Sequence, residues 1–354
     1  MINLCAVCAF LWVIKDDAQK LRLPCVRTTT LMQAIVYGDR ASGGALKLEE
    51  IEKPLPGDNE LLLKVRAASV NPLDYHFMRH PFLRPVMARV TKVKTLRPGR
   101  DVAGQVEAVG KNVTQFKPGD DVFGACNGAF AEYASGRESA FVIKPSKVSF
   151  AQAASVPVAG LTALQGFRDK AQLQPGQQVL INGAAGGVGT FAVQIAKTFG
   201  AEVTGVCSTR NVELVRSIGA DTVIDYTRED FTSKGKQYDV IFDLVANHSF
   251  AEHVRALTPN GMYIGAGMIA LDGSMTQLFK RLIPELVKWR FVSQKSVSLL
   301  AKLDAQDLNL IGALIAEGKV RPVIDRSYRL NEVPVAVSYL EQKHARGKVI
   351  IEID

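Results

Sequence analysis

Short apolar alternations broken by glycine and proline run from Met32 to about Ser155, as in "ELLLKVRAASVNP", "DVAGQVEAVG", "FKPGDDVFGA" and "GAFAEYASG". Many short runs at this spacing, with few helical stretches, predict a β-rich, barrel-like domain. After Gln174-Pro175-Gly176 the rhythm changes. "QVLIN" is a continuous apolar run of the kind a strand buried on both faces needs, and "VGTFAVQIAKTFG" carries apolar residues at helical spacing. "EVTGVC" predicts a strand, "NVELVRSIG" a helix, "DTVIDY" and "YDVIFDLV" strands, "SFAEHVRALTPNG" a helix and "GMYIGAG" a strand. Strands alternating with helices predict an α/β fold with a doubly wound parallel sheet. Beyond Gly267 a long apolar and basic helix is expected over residues 275–303, then another ending near Gly318, and the tail returns to strand, helix, strand.

At 354 residues the chain can form two domains, each with its own core. Lys and Arg outnumber Asp and Glu by 43 to 35, a net charge of +8 spread along the chain, so no basic stripe or module points to nucleic acid. Cys5, Cys8, Cys25, Cys126 and Cys207 form an odd, scattered set with no disulfide framework, which suits a reducing compartment and a cytoplasmic location. "MINLCAVCAFLWVI" is too short to span a bilayer and lacks the basic start of a secretory signal. Residues 1–31 therefore read as an extension, or an upstream start, outside the fold.

A glycine cluster, "INGAAGGVGTF", sits between the first buried strand and the helix that follows it. A strand feeding a Gly-rich turn that opens a helix lets backbone approach a pyrophosphate and offers it free N–H groups. Gly183, Gly186, Gly187, Val188 and Gly189 are the candidate cradle, although Ala184 stands where the first glycine of the usual fingerprint would be. The second strand ends in Cys207, Ser208, Thr209 and Arg210, at the place where NAD-selective sites put an acid on the ribose 2′-hydroxyl. An acid would repel a 2′-phosphate; Ser208 can donate to it and Arg210 can grip it in two places, so NADPH is the expected cofactor.

"VNPLDYH", "GRDVAGQVEAVGKNVTQFKPGDDVFG", "AASVPVAGLTALQGF", the glycine cluster and the closing "GKVIIEI" resemble the medium-chain dehydrogenase/reductase superfamily, most closely its zinc-free quinone oxidoreductase branch. The resemblance implies a GroES-like catalytic domain interrupted by a Rossmann domain, a homodimer, and a cofactor between the domains. It divides the chain into 1–31, a catalytic first part at 32–154, a Rossmann domain at 155–303 and a return to the catalytic domain at 304–354. By that alignment the zinc-ligand positions of metal-dependent members read Asn71, Arg100 and roughly Val158, so no metal is expected; His76 and His80, four apart, are a weak alternative pair. The resemblance also places Asn71 and Thr162 at the nicotinamide end, Gly265, Ala266 and Gly267 over its far side, Tyr226 near the 2′-phosphate, and Arg346 and Lys348 near a cofactor phosphate. Asp74 reads as structural.

Hydride delivered to an enone or quinone leaves negative charge on oxygen, which needs a donor. Asn71, Tyr75 and His76 are the candidates, with solvent as the alternative acid. The expected activity is NADPH-dependent reduction of quinones or α,β-unsaturated carbonyls. Rival readings are a zinc-free dehydrogenase of simple alcohols and aldehydes, and a non-catalytic NADPH-binding sensor. Six basic side chains in residues 278–303, together with Trp289 and Phe291, also raise a membrane-surface helix, against the plainer reading of a lid or interface.

Overall fold

The computed structural model describes residues 30–38, 45–79, 85, 89, 97–233, 235–266 and 288–354. Most of the expected extension, His80, Gly267 and the first half of the basic stretch lie outside them. Among the described residues no helix is long and apolar enough to cross a membrane.

Two large sheets and a two-stranded ribbon organise the described residues of the chain. β1 (Leu31–Tyr37) and β2 (Leu46–Glu52) form an antiparallel pair at its start. β3 (Glu60–Val70) is the longest strand and pairs with β4 (Asp101–Val109) and β6 (Tyr133–Arg137); β4 continues to β5 (Asp121–Ala125) and then β7 (Phe141–Ile143). Leu61, Leu63 and Val65, on alternate positions of β3, are fully buried, as a strand packed on a core requires. The loop after β3 opens into α1 (Pro72–Arg79). After α2 (Phe150–Ala154), capped by Ser149 and Gln152, comes α3 (Pro157–Gln165), with proline in its first turn where no N–H is missed.

The second sheet is parallel. It runs β10 (Thr222–Asp225), β9 (Glu202–Cys207), β8 (Gln178–Asn182), β11 (Tyr238–Asp243), β12 (Leu257–Gly265), β13 (Lys295–Ser298). The order reverses beside β8, the first strand, and that reversal opens a crevice at the strands' carboxyl ends. α4 (Gly187–Thr198) follows β8, α5 (Val212–Ser217) follows β9 and α6 (Phe250–Ala256) follows β11. Val179, Leu180 and Ile181 in β8 are all fully buried, which is why this strand reads as an unbroken apolar run.

The tail returns to the first sheet. α7 (Ala305–Ala316) buries Leu308 and Ile311 in the same core cluster as Val156 and Ala159. β14 (Ile324–Arg329), α8 (Val333–Glu341) and β15 (Lys348–Glu352) follow, and β15 inserts between β14 and β3.

One expected element is corrected. The helix expected to reach residue 303 is absent from its described part: Trp289–Phe291 is a single 3₁₀ turn and Lys295–Ser298 is strand β13. The alternation in "KSVS" suits the open edge of β12, and pairing there outweighs the helical spacing.

Candidate functional site

The glycine turn is built by close contacts that only hydrogen side chains permit. Gly183 has φ +89°, and the N–H groups of Gly183 and Ala184 donate to the Val206 carbonyl at 3.2 and 3.0 Å, tying the turn to β9. A Cβ on Gly189 would stand 2.1 Å from the Gly183 carbonyl oxygen, so glycine is what lets α4 rest on the turn. No side chain caps α4 at Gly186, and its first residues line a cleft of about 790 Å³. Gly183, Gly186, Gly187, Val188 and Gly189 line that cleft; Ala184 does not, because its methyl is packed inward with none of its surface exposed, and Ala185 takes its place.

Ser208, Arg210 and Tyr226 line the same cleft, with Tyr226 61% exposed. Asp225, at the end of β10 and paired with Cys207, accepts from the Thr209 hydroxyl at 2.6 Å and from Thr227, so its charge is spent on the turn. Glu229 and Asp230 do reach the cleft, but Asp230 accepts from the N–H and hydroxyl of Thr232 and lies 3.5 Å from His248 Nε2. Arg210 Nη2 donates to the His344 carbonyl at 2.9 Å, joining the two sheets' domains across the cleft. Lys343 and His344 also line it. Sequence reasoning missed both; the only signal was the charge density of "QKHARGK", and 134 positions separate Arg210 from His344. Arg346 is exposed and outside the lining, its N–H donating to Asp325.

Gly265 and Ala266 form part of the far wall, beside Tyr263. Beneath them Asp243 accepts from Asn182 Nδ2 at 2.9 Å, from the N–H groups of Val245 and Ala246 at 3.0 Å, and from the Tyr263 hydroxyl at 3.0 Å, with His253 Nε2 at 3.4 Å. Burial alone would raise its pKa, but the neighbouring His253 ring and the hydrogen bonds from the Ala246 and Val245 N–H groups outweigh that and hold it down at about 2. A depressed carboxyl stabilises the fold above its unfolded pKa and loses that contribution as pH falls through the folded one. Asp243→Asn is therefore expected to cost about 2 kcal/mol at neutral pH. The gap from wild type should close between pH ~4 and ~2 in urea melts; a constant gap would refute the charge assignment.

At the other end Pro72, Tyr75 and His76 line the cleft from α1, the two rings 4.4 Å apart. Asp74 faces away and accepts from the N–H groups of Asn71 and Gly99 at 2.9 and 3.0 Å, a structural role that fixes the helix start. Asn71 is corrected. Its Nδ2 donates to Asp101 Oδ2 at 3.0 Å and the Ser69 carbonyl at 3.4 Å, and its Oδ1 accepts from Lys348 Nζ at 2.8 Å, so no N–H is left for an oxyanion. Lys348 is corrected too: it is 3% exposed, and Asp101 and Asn71 draw its ammonium inward, away from the cleft lining. Thr162 is 9% exposed, lies outside the lining, and spends its hydroxyl on the Val158 carbonyl at 2.7 Å.

The same residues test a zinc site. Among the described residues no three of His, Cys, Asp and Glu come together. At the aligned positions stand an amide held by an ammonium, a guanidinium, and Val158, whose N–H donates to Asp101 at 3.2 Å. An ammonium and a guanidinium beside Asp101 do not fit Zn²⁺, which needs converging soft or imidazole ligands. Purified protein is expected to carry no stoichiometric zinc and to keep its turnover in chelator; one zinc per chain lost together with activity would overturn this.

Comparison with known proteins adds the family. Residues 57–165 match the model described as alcohol dehydrogenase GroES-like domain, and residues 218–351 the model described as zinc-binding dehydrogenase. The chloroplast envelope quinone oxidoreductase homolog of Arabidopsis thaliana is 37% identical over 338 residues, 91% of this chain and 98% of the relative. The NADPH-dependent alkenal/one oxidoreductase of the same plant's chloroplasts is 35% identical, covering 90% of this chain and 79% of the relative. The solved quinone oxidoreductase from Coxiella burnetii superposes with a TM-score of 0.79 at 30% identity, over 92% of this chain and 100% of its own.

Proposed function

The chain belongs to the medium-chain dehydrogenase/reductase superfamily, on its quinone oxidoreductase branch, and is an oxidoreductase; on that premise we propose that it reduces quinones or α,β-unsaturated carbonyls with NADPH and without zinc. One observation carries the reading: a single cleft has the uncapped glycine turn, Ser208 and Arg210 on one wall and Tyr75 and His76 on the other. The cradle fits a dinucleotide, since side-chain-free glycines and the uncapped start of α4 line the cleft.

NADPH, when bound, supplies the hydride. This chain's own residues do the rest. The turn and the α4 N-terminus would hold the pyrophosphate, and Arg210 with Lys343 would give the adenosine end positive charge. Tyr75 and His76, which line the cleft with their rings 4.4 Å apart, would be the donors of a proton to the developing oxyanion. Asn71, with its N–H groups committed, orients the helix start instead.

A homodimer and a cytoplasmic, reducing setting belong to the same proposal. Supporting the first, β13 pairs only with β12 among the described strands and stands near Phe291, 83% exposed, and Leu300, 87% exposed. Supporting the second, Cys126 and Cys207 are unpaired and buried.

The deciding experiment follows NADPH oxidation by purified protein across quinones, enones and simple aldehydes. Turnover with quinones or enones and none with aldehydes is expected. Comparable turnover of aldehydes would favour the alcohol and aldehyde reading, and tight NADPH binding with no turnover at all would favour a sensor.

A further inference from the structure

Lys348 is a fully buried cation that the hydride step does not use. Asp101, with none of its surface exposed, lies 3.4 Å from the ammonium and also accepts from Ser69 Oγ at 2.9 Å. Exchanging such a pair for neutral, well-packed groups is often neutral for stability, so stability alone does not account for a lysine here. What it connects is more telling. Lys348 opens β15, and Gly347 just before it bridges to Gly186 of the phosphate turn. Gly347 has φ +108°, and a Cβ there would stand 2.4 Å from the Val323 carbonyl oxygen, so the backbone at this bridge has one conformation. The stem of Lys348 fills the room beside Gly187, its Cδ 3.0 Å from where a Cβ would be. Its ammonium, at the far end, holds Asn71 Oδ1 at 2.8 Å. Asn71 is the residue before α1, whose Tyr75 and His76 line the cleft.

We propose that Lys348 is a positioning residue: one side chain running from the glycine turn to the start of α1 that sets Tyr75 and His76 relative to the cofactor. The proposal rests on the reductase reading for its catalytic consequence. Reacting groups displaced by about 1 Å can cost about a hundredfold in rate, so a lost strut of this kind is expected to show in turnover more than in cofactor affinity.

The test uses three variants of the full chain. Lys348→Met keeps the stem and leaves Asp101 unpaired, and is expected to melt well below wild type. Asp101→Asn with Lys348→Met removes both charges, and Asn71→Ala leaves the ion pair intact while removing the lysine's other partner. The double variant is expected to melt close to wild type, and Asn71→Ala below it because that amide's hydrogen bonds to Asp101 and the Ser69 carbonyl are lost too; both should bind NADPH within about threefold yet lose kcat by about thirtyfold or more, with faster amide exchange in residues 72–79. A double variant that regains melting temperature, kcat and slow exchange together would show that the lysine is only Asp101's counter-ion, and would overturn the proposal. Absence of wild-type turnover on every acceptor would sink the reductase reading instead, and the exchange rates of α1 would still decide the role of Lys348.

Discussion

Gly189→Ala is expected to abolish NADPH binding and to weaken the fold at the same time. The added Cβ would lie 2.1 Å from the Gly183 carbonyl oxygen and 2.8 Å from the Ala184 C and Cα atoms, all of them backbone. None can rotate away. Either α4 lifts off the turn or the turn opens, and both displace the N–H groups that face the pyrophosphate. Overpacking of this kind costs about 1–3 kcal/mol or more in stability. Affinity for NADPH should fall by a hundredfold or more, equivalent to at least ~2.7 kcal/mol. Gly186→Ala is the informative partner. Its φ is −80° and the nearest atom to its Cβ, the Gly183 oxygen, is at 3.4 Å, an ordinary contact. That variant should melt like wild type and lose affinity only, because its methyl projects into the space the pyrophosphate takes. Fluorescence titration with NADPH beside thermal melts separates the two; equal behaviour of both variants would show that the turn does not carry α4 in the way described.

The contrast explains what could be read in the sequence. The parallel sheet was legible because strands buried on both faces leave unbroken apolar runs, as Val179 to Ile181 do, and the glycine turn was legible because its tight contacts are local. The structural role of Asp74 came from the family resemblance, and its carboxylate does accept from the Asn71 N–H three positions away. Residues whose partners come from far along the chain were not legible. Lys348 meets Asn71 across 277 positions, and nothing near either residue announces that the ammonium turns inward. Lys343 and His344 reach the cleft only because the tail returns to the first sheet, a consequence of topology that no local pattern encodes. β13 misled for another reason: a short edge strand takes its structure from its neighbour β12, not from its own spacing.

Arg210→Ala is expected to raise the Michaelis constant for NADPH by about tenfold or more, at least ~1.4 kcal/mol, and to leave that for NADH almost unchanged. The guanidinium stands at the end of β9 in a cleft that also receives Ser208 and Lys343, while Asp225, at the end of β10, is held by Thr209 and Thr227 outside the lining. A phosphomonoester there would meet a charge-assisted donor, whereas the strand-end carboxylate that would accept from a bare ribose hydroxyl is replaced by Ser208 and Arg210. One Arg210 N–H already serves the His344 carbonyl, so the substitution also unties the loop that presents Lys343. Arg210→Lys separates these effects: it keeps a charge but not the planar fork, and should recover part of the NADPH affinity without restoring the loop contact. Lys343→Ala should show the same cofactor preference with a smaller loss. Binding of 2′,5′-ADP against 5′-ADP reads the same selectivity without any acceptor, so the result does not depend on the substrate. Wild-type protein that used NADH as well as NADPH, or an Arg210→Ala variant that lost both equally, would remove the 2′-phosphate from this end of the cleft.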